Sequence, residues 1–354
     1  MNSSRRHAVL VILVAATAVP VASSAPPGIV RCWGANPDGQ CTPPNGLGLV
    51  TYVSAGSQHT LALKVNGQVV AWGNNAFGQC TVPGGLSGVV AVEAGDTHSV
   101  ALRIDGSVSS WGDNSYGQCN DPELNGVVQV CAQGQRTAAL LADGTVRCWG
   151  RNDYGQGNVP SSLRDVVKLS IGFSESYALK SDGRVVSWPQ GWATGSGGPS
   201  ISAISVGGGH FVMQDTEGSL QCFWPATPQY GQCNIPNLLP VLQAEAGSSF
   251  TVALEIGGSV RAWGSNFFGE RDVPADIANV VFISAGDWHA AVIMADPCPC
   301  DLFDDQQVNG ADLGVLLSQW GPANANTVSD INNDGRVDGS DLGTLLANWG
   351  PCSN

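Results

Sequence analysis

Residues Val69–Pro83 read "VVAWGNNAFGQCTVP", and close variants return as "RCWGANPDGQCTPP" from Arg31, "SSWGDNSYGQCNDP" from Ser109 and "RCWGRNDYGQGNVP" from Arg147. The tryptophans that anchor the phrase are Trp33, Trp72, Trp111, Trp149, Trp188, Trp224 and Trp263, separated by 39, 39, 38, 39, 36 and 39 residues. So regular a period marks a repeat architecture. Between the tryptophans runs a second phrase, seen as "VSAGSQHTLAL" from Val53, "VEAGDTHSVAL" from Val92 and "ISAGDWHAAVI" from Ile283.

Each repeat holds short apolar runs separated by Asn66-Gly67, Asp105-Gly106, Asp143-Gly144 or Asp182-Gly183, pairs that specify tight hairpin turns. The 46 glycines and only 12% charged residues point the same way, to many short strands rather than long solvated helices. A unit of about four strands and ~40 residues is one propeller blade, and radial closure protects its edges. The phase carries the argument further. The repeats open at "GIVRCWG", midway through a unit, and stop at "ISAGDWHAAVIMAD", a front half without its back half. The expected fold is therefore mainly β: a seven-bladed β-propeller over residues 28–295, closed by both chain ends.

The second phrase resembles the signature of regulator-of-chromosome-condensation repeats, and "WGNNAFGQCTVP" is similar to their other half, particularly in secreted bacterial propellers that include β-lactamase inhibitors. The resemblance covers roughly residues 28–295 and implies a protein-binding ring. Two units depart from it. The fifth reads "SWPQGWATGSGGPS" after the strand, and the sixth, "CFWPATPQYGQC", carries extra loop residues, so these blades are expected to be the least regular.

Most repeated residues are expected to serve the fold. Each tryptophan anchors its own blade, and His59, His98, His210 and His289 occupy one repeat position, filled elsewhere by Arg136, Glu175 and Phe250. Histidines spread around an axis are structural rather than a metal ring. The aromatic residues Phe77, Tyr116, Tyr154, Tyr230 and Phe268 differ, because each precedes a glycine in the loop after a tryptophan. Exposed, they form a rim suited to binding a protein; packed between blades, they are core. Both placements are open from sequence.

The N-terminus, "MNSSRRHAVLVILVAATAVPVASSAPPG", sets Arg5 and Arg6 before an apolar run that Pro20 closes, which is the form of a cleaved signal peptide over residues 1–25 and too short for a membrane span. Export makes disulfides plausible among the eleven cysteines, with Cys32–Cys41 and Cys222–Cys233 as local clasps. Net charge is −14, and beyond Ala295 nine aspartates stand against Arg336 alone. Nothing in this balance resembles a nucleic-acid footprint.

That acidic tail, residues 296–354, contains "DINNDGRVDGSD" from Asp330, a calcium loop in which Asp330, Asn332, Asp334, Asp338 and Asp341 offer side-chain oxygens and Arg336 its carbonyl. A weaker copy lies 29 residues earlier, with Asp301, Asp305, Asn309 and Asp312 as side-chain ligands and Gln307 at the carbonyl position. There Phe303 replaces a ligand and Gln306 the turn glycine, so this loop is expected to bind less well. Each loop enters a short helix. Leu313, Leu316, Leu317 and Trp320, and Leu342, Leu345, Leu346 and Trp349, are spaced as one apolar face per helix, and the two faces are expected to bury each other. Cys298 or Cys300 is expected to pair with Cys352.

Loop then helix, twice, resembles a type I dockerin, a small α-helical calcium-binding domain, across about residues 298–352. That implies calcium-dependent docking to a cohesin-like partner, often in polysaccharide-associated complexes. The reading that follows is a secreted, non-catalytic adaptor with an extracellular protein partner. An inhibitor of an extracellular enzyme is one alternative and a polysaccharide-degrading component another, but no nucleophile motif or paired carboxylates stand out, and no catalytic residue is assigned. Nucleotide exchange on a nuclear GTPase is opposed by export and by the fused tail.

Overall fold

The computed structural model describes residues 26–191, 200–223, 229–296, 298, 300–302, 307–323, 327, 329–331 and 335–352. The expected signal peptide, Trp224, and the most irregular loop residues of the fifth and sixth units lie outside these. The regular structure among the described residues is short antiparallel strands joined by turns and loops, with two nine-residue helices near the end.

Strand β1 spans Gly28–Gly34. Three-stranded meanders follow: β2 (Val50–Ala55), β3 (His59–Lys64), β4 (Val69–Gly73); β5 (Val89–Ala94), β6 (His98–Arg103), β7 (Val108–Gly112); and β8 (Val127–Gln133), β9 (Arg136–Leu141), β10 (Val146–Gly150). The next are β11 (Val166–Ile171), β12 (Ser176–Lys180), β13 (Val185–Trp188); β14 (Ile201–Val206), β15 (Phe211–Asp215), β16 (Leu220–Phe223); and β17 (Val241–Ala246), β18 (Phe250–Glu255), β19 (Val260–Gly264). Last come β20 (Val280–Ala285) and β21 (His289–Ala295), whose third strand is β1: it pairs along its whole length with β21, from Gly28↔Ala295 to Gly34↔His289. The out-of-phase ends of the repeat thus meet in one sheet. Each sheet packs on the next in chain order, and β20 and β21 pack on β2.

The sheets show three strands, not the four expected from the repeat. The loop after the tryptophan is held by its own side chains. Asn75 Oδ1 accepts from the Cys80 N–H (2.8 Å), Gln79 Oε1 from the Phe77 N–H (2.9 Å), and Gly78 adopts φ +82. Side-chain acceptors of this kind take the place of ladder bonds. The hairpin turns fall where expected. In the first, Gly67 donates to the Lys64 carbonyl and takes φ +79 before the ladder resumes at Lys64 and Gln68.

The core is layered between sheets rather than central. Leu61 and Leu63 of β3 pack with Val89, Val92, Ala101 and Trp111 of the next sheet, and Val30 and Ile293 pack with Val50, Val53 and Trp72 across the closure. The middle strand is therefore buried on both faces, as in "HTLAL" of β3. The sixth unit corrects one anchor. Its register pairs Phe211 with Phe223 where other units pair Ser99 with Trp111, so Phe223 rather than Trp224 fills the tryptophan position.

In the tail, α1 (Gly310–Ser318) and α2 (Gly339–Ala347) each start at a capping box, Asn309 with Asp312 and Asp338 with Asp341. The paired-face expectation fails in half. Leu316 and Leu345 are buried with Val308, Val337 and Cys300, but Leu317, Trp320, Leu346 and Trp349 are about half exposed. Helix α1 caps at Gln319, and Gly321 turns the chain with φ +128, so Trp320 falls beyond the helical stripe; α2 caps at Asn348 ahead of Trp349 in the same way.

The "AG" of the second phrase has a steric reason. A Cβ on Gly95 would sit 2.4 Å from His98 Cε1, so alanine there forces the buried ring to move. Gly95→Ala is expected to destabilise the ring by about 2 kcal/mol, the scale of overpacking in a filled core, read as a lower urea midpoint; an unchanged midpoint would mean that this packing is slack.

Candidate functional site

One junction recurs between sheets. Thr60 Oγ1 donates to the Gln40 carbonyl (2.8 Å), and Trp72 Nε1 donates to the same oxygen (2.8 Å). With the hydroxyl proton so used, Thr60 accepts from His289 Nε2–H of the preceding sheet (2.9 Å). The pattern returns with Ser99, Trp111, Gln79 and His59 (3.0, 2.9 and 2.8 Å), and with Thr251, Trp263, Gln232 and His210. Trp72, Trp111 and Trp263 thus tie their sheets to the preceding ones rather than anchoring only their own blades, and the histidines serve the same joints.

The same joint fixes the rim. These glutamines also accept, through Oε1, the backbone N–H of the residue two positions before: Asp38 at Gln40, and the aromatic Phe77, Tyr116, Tyr154 and Tyr230 at Gln79, Gln118, Gln156 and Gln232, with Phe268 bonding Glu270 Oε2 in the same way. Backbones are pinned while rings face outward, and the five rings are 43% to 65% exposed. All five therefore lie at the surface and are not packed between blades. Arg151 lies over the Tyr116 ring, 5.3 Å from its centroid, and Phe268 meets Trp288 edge-on at 5.7 Å. Sequence reading missed exposed Phe267, which packs on Tyr230 and was signalled only by the doubled aromatic of "NFFG", and exposed Phe173 in "GFSES".

The first strands of the sheets bring a polar ring together that sequence reading also missed. Ser54 Oγ donates to Glu93 Oε2 and accepts from the Ala94 N–H; Ser205 Oγ donates to Glu245 Oε2 and accepts from the Ala246 N–H. Gln129 and Gln243 each exchange two bonds with the neighbouring strand, at Leu169 and Ile283. Burial raises the Glu93 carboxyl to about 7; the Tyr52 hydroxyl bond opposes this and the Glu245 charge adds to it. Asp96 is likewise lifted to about 7 by burial and by Asp287, itself held by Gln133 Nε2 at 3.0 Å. These groups are absorbed in inter-sheet bonds.

Of the expected disulfides, Cys222–Cys233 and Cys298–Cys352 form, while Cys32 and Cys41 are thiols and Cys300 is buried. Cys298, Asp301 and Cys352 converge, but both sulfurs are in the disulfide and so are not thiolate ligands. Of the calcium-loop positions, Asn332, Asp334 and Asp305 lie outside the described residues, as do Phe303 and Gln306. Asp330 Oδ2 accepts from the Gly335 N–H (2.9 Å), which has φ +87 as a sharp loop turn requires, and Asp341 Oδ1 accepts from the Ile331 N–H (2.8 Å). Asp312 and Asp341 are fully buried at matching places. An all-oxygen donor set around such carboxylates suits a hard divalent ion.

Residues 50–79, 89–118, 127–156 and 241–270 match the regulator of chromosome condensation (RCC1) repeat. The chain carries RCC1 repeats. Among solved structures it is similar to Prp20p from Saccharomyces cerevisiae (18% identity, 77% of this chain and 92% of that one, TM-score 0.64). Similar too are yeast RCC1 (Prp20) in complex with Kap60 (19%, 84% and 97%, 0.63) and human WBSCR16 (17%, 75% and 98%, 0.61). These likenesses show an RCC1-like β-propeller. No curated protein sequence matches significantly. No helix among the described residues is long and apolar enough to cross a membrane.

The RCC1-repeat histidines also set an acid limit. Burial lowers His59 to about 3 and His98, His210 and His289 to about 4, so the folded ring keeps them neutral while the unfolded chain protonates them near 6.5. Their contribution is complete above pH 6.5 and is lost as pH falls toward about 4. Glu93 and Asp96, raised to about 7, act in the opposite sense: their contribution is complete below the ordinary carboxylate range and is lost as pH rises through 7. His98→Phe, which places there the residue found at Phe250, is expected to reduce the loss between pH 6.5 and 4 by on the order of 3 kcal/mol, measured by urea unfolding across pH; an unaltered pH slope would refute it.

Proposed function

We propose that this protein is a secreted, non-catalytic adaptor, in which a seven-bladed propeller closed by both chain ends presents its aromatic rim to a protein partner while the tail docks or anchors it through calcium. The observation that carries the first part is the rim itself: five aromatic rings exposed on loops whose backbones are pinned by buried glutamine or glutamate side chains. Rigid aromatic groups with a polar edge and little entropy to lose are the usual anchors of protein interfaces. Two relatives support a platform role, one described by its binding to Gsp1p and histones and one seen with Kap60. The identity of the partner in this chain is a separate matter, since those likenesses concern fold.

For the tail, Asp330, Asn332, Asp334, Asp338 and Asp341 with the Arg336 carbonyl would hold one calcium ion, and Asp301, Asp305, Asn309 and Asp312 with the Gln307 carbonyl a second, weaker one. Bound calcium would neutralise the carboxylates that crowd this short segment and order the loops ahead of α1 and α2. The half-exposed Leu317, Trp320, Leu346 and Trp349 then form a repeated apolar surface on the docking module. A cohesin-like receptor, in a polysaccharide-associated assembly, is the partner that the dockerin resemblance implies.

Two measurements test this reading. Calcium titrated into the full-length protein by calorimetry is expected to give a saturable binding heat that Asp330→Asn together with Asp341→Asn removes; no heat from the unaltered protein refutes the metal site. Capture from the secreted proteins of the source culture is expected to recover one partner that survives chelation and is lost with Tyr154→Ser plus Phe268→Ser, and another that chelation releases. Capture indifferent to the rim variants refutes the platform.

A further inference from the structure

The RCC1 pattern breaks at one place in a way that builds a cavity. Between the sheets β8–β10 and β11–β13 lies a cleft of about 260 Å³, open at the rim, lined among others by Gln135, Arg136, Arg151, Tyr154, Gln156 and Phe173. Arg136 stands where four other units carry a neutral histidine, and it is only 2% exposed. It donates to the Gln156 carbonyl, Ser176 Oγ (2.8 Å), and the Gly172 and Glu175 carbonyls (2.8 and 3.2 Å). All are neutral acceptors, and no carboxylate is among them. A guanidinium buried against dipoles alone retains its full charge at the base of the cleft.

Departures from the repeat make the other polar groups donors as well. In two other units the amide of this glutamine donates to a side chain five residues before it: Gln79 Nε2 to Asn74 Oδ1 (3.1 Å) and Gln118 Nε2 to Asp113 Oδ2 (3.0 Å). For Gln156 that position is Arg151, itself a donor, while Gln156 Oε1 is engaged by the Tyr154 N–H (2.9 Å). Gln135 Oε1 is taken by Arg151 NH1 (3.1 Å). Both glutamines line the cleft with Oε1 already engaged, which leaves their NH₂ groups as the donors they can offer there. Arg151 Nε holds the exposed Asp153 at 2.6 Å, which offsets one guanidinium and leaves the charge of Arg136 in place. Tyr154 and Phe173, 65% and 42% exposed, supply the aromatic walls.

We propose that this cleft is an anion pocket that receives the carboxylate of an aspartate or glutamate side chain from the protein partner, with the residues beside it packed on Tyr154 and Phe173. The assignment rests on the rim being a protein-binding face. A volume below the ~300 Å³ at which small-molecule sites usually begin fits one side chain rather than a free metabolite. Planar amides and a guanidinium edge match a planar carboxylate.

The test uses the full-length protein and three peptides, acetyl-Gly-Glu-Tyr-Gly-amide and its glutamine and phosphoserine counterparts, titrated by saturation-transfer NMR. The glutamate peptide is expected to bind saturably, with affinity of ~1 mM typical for so small a ligand, and the glutamine peptide about tenfold more weakly, the scale of one charge-assisted hydrogen bond. Arg151→Gln is expected to lower glutamate binding about tenfold. Arg136→His, which restores the residue of the other units and so preserves the fold, lowers it while leaving glutamine-peptide binding unchanged. Equal binding of the glutamate and glutamine peptides, glutamate binding unmoved by both variants, or binding of the phosphoserine peptide in preference to glutamate overturns the proposal. Tyr230→Ser, outside the cleft, separates the two readings: if it leaves partner capture intact while the glutamate peptide still binds as expected, the rim reading fails and the pocket stands.

Discussion

The structure depends on one carbonyl per unit. At Gln40, Gln79 and Gln232 it sits at the end of a loop and accepts from both a tryptophan and a threonine or serine of the following sheet. The loop belongs to one sheet and the donors to the next, so the bond pair sets the angle between neighbours. A three-stranded meander is stable only when its apolar faces are covered. What stabilises it is the apolar layer on either side, and that layer closes only if every sheet meets the next at the same angle. The histidine whose Nε2 bonds the same hydroxyl adds a third contact to the joint without bringing a charge into it.

This joint explains why one phrase is repeated. Tryptophan, glycine, glutamine and the asparagine that ties down the turn are each demanded by a buried bond or by a left-handed backbone. The residue before the turn glycine is demanded by neither, because only its N–H is used. That position is free to be Phe77 in one unit and Tyr116 or Tyr230 in others, and free to face outward. Fold and recognition thus occupy adjacent positions of the same loop without competing for the same atoms.

Much of this was legible in the sequence because periodicity reports on packing. The unequal halves at the two ends predicted a shared sheet, and β1 on β21 is that sheet. The two helices of the tail were legible in the same way, from spacing. What escaped was set by direction rather than spacing. Leu317 and Trp320 have the right period but fall past the reach of the small core around Leu316 and Val308. The units form three strands rather than about four, and Asn and Gln side chains accept the backbone N–H groups of the loop after the tryptophan. Phe223 in place of Trp224 reflects a one-residue difference that only register reveals. The orientation of Gln135 and Gln156 was hidden for a like reason: an amide has two ends, and which one is free depends on neighbours brought together by folding.

The break at Arg136 then has a physical meaning that a mere irregularity would lack. A neutral histidine in this position has a single N–H to place, and its neighbour's hydroxyl accepts it. An arginine carries five N–H donors and a charge that cannot be given up at ordinary pH. The fold has met most of the donors with carbonyls, at Gln156, Gly172 and Glu175. The charge is a different requirement, because carbonyl dipoles orient around it without cancelling it. A unit that accepts that cost where four others avoid it, and that also leaves two amide NH₂ groups as donors at the cleft, is organised around something negative that arrives from outside.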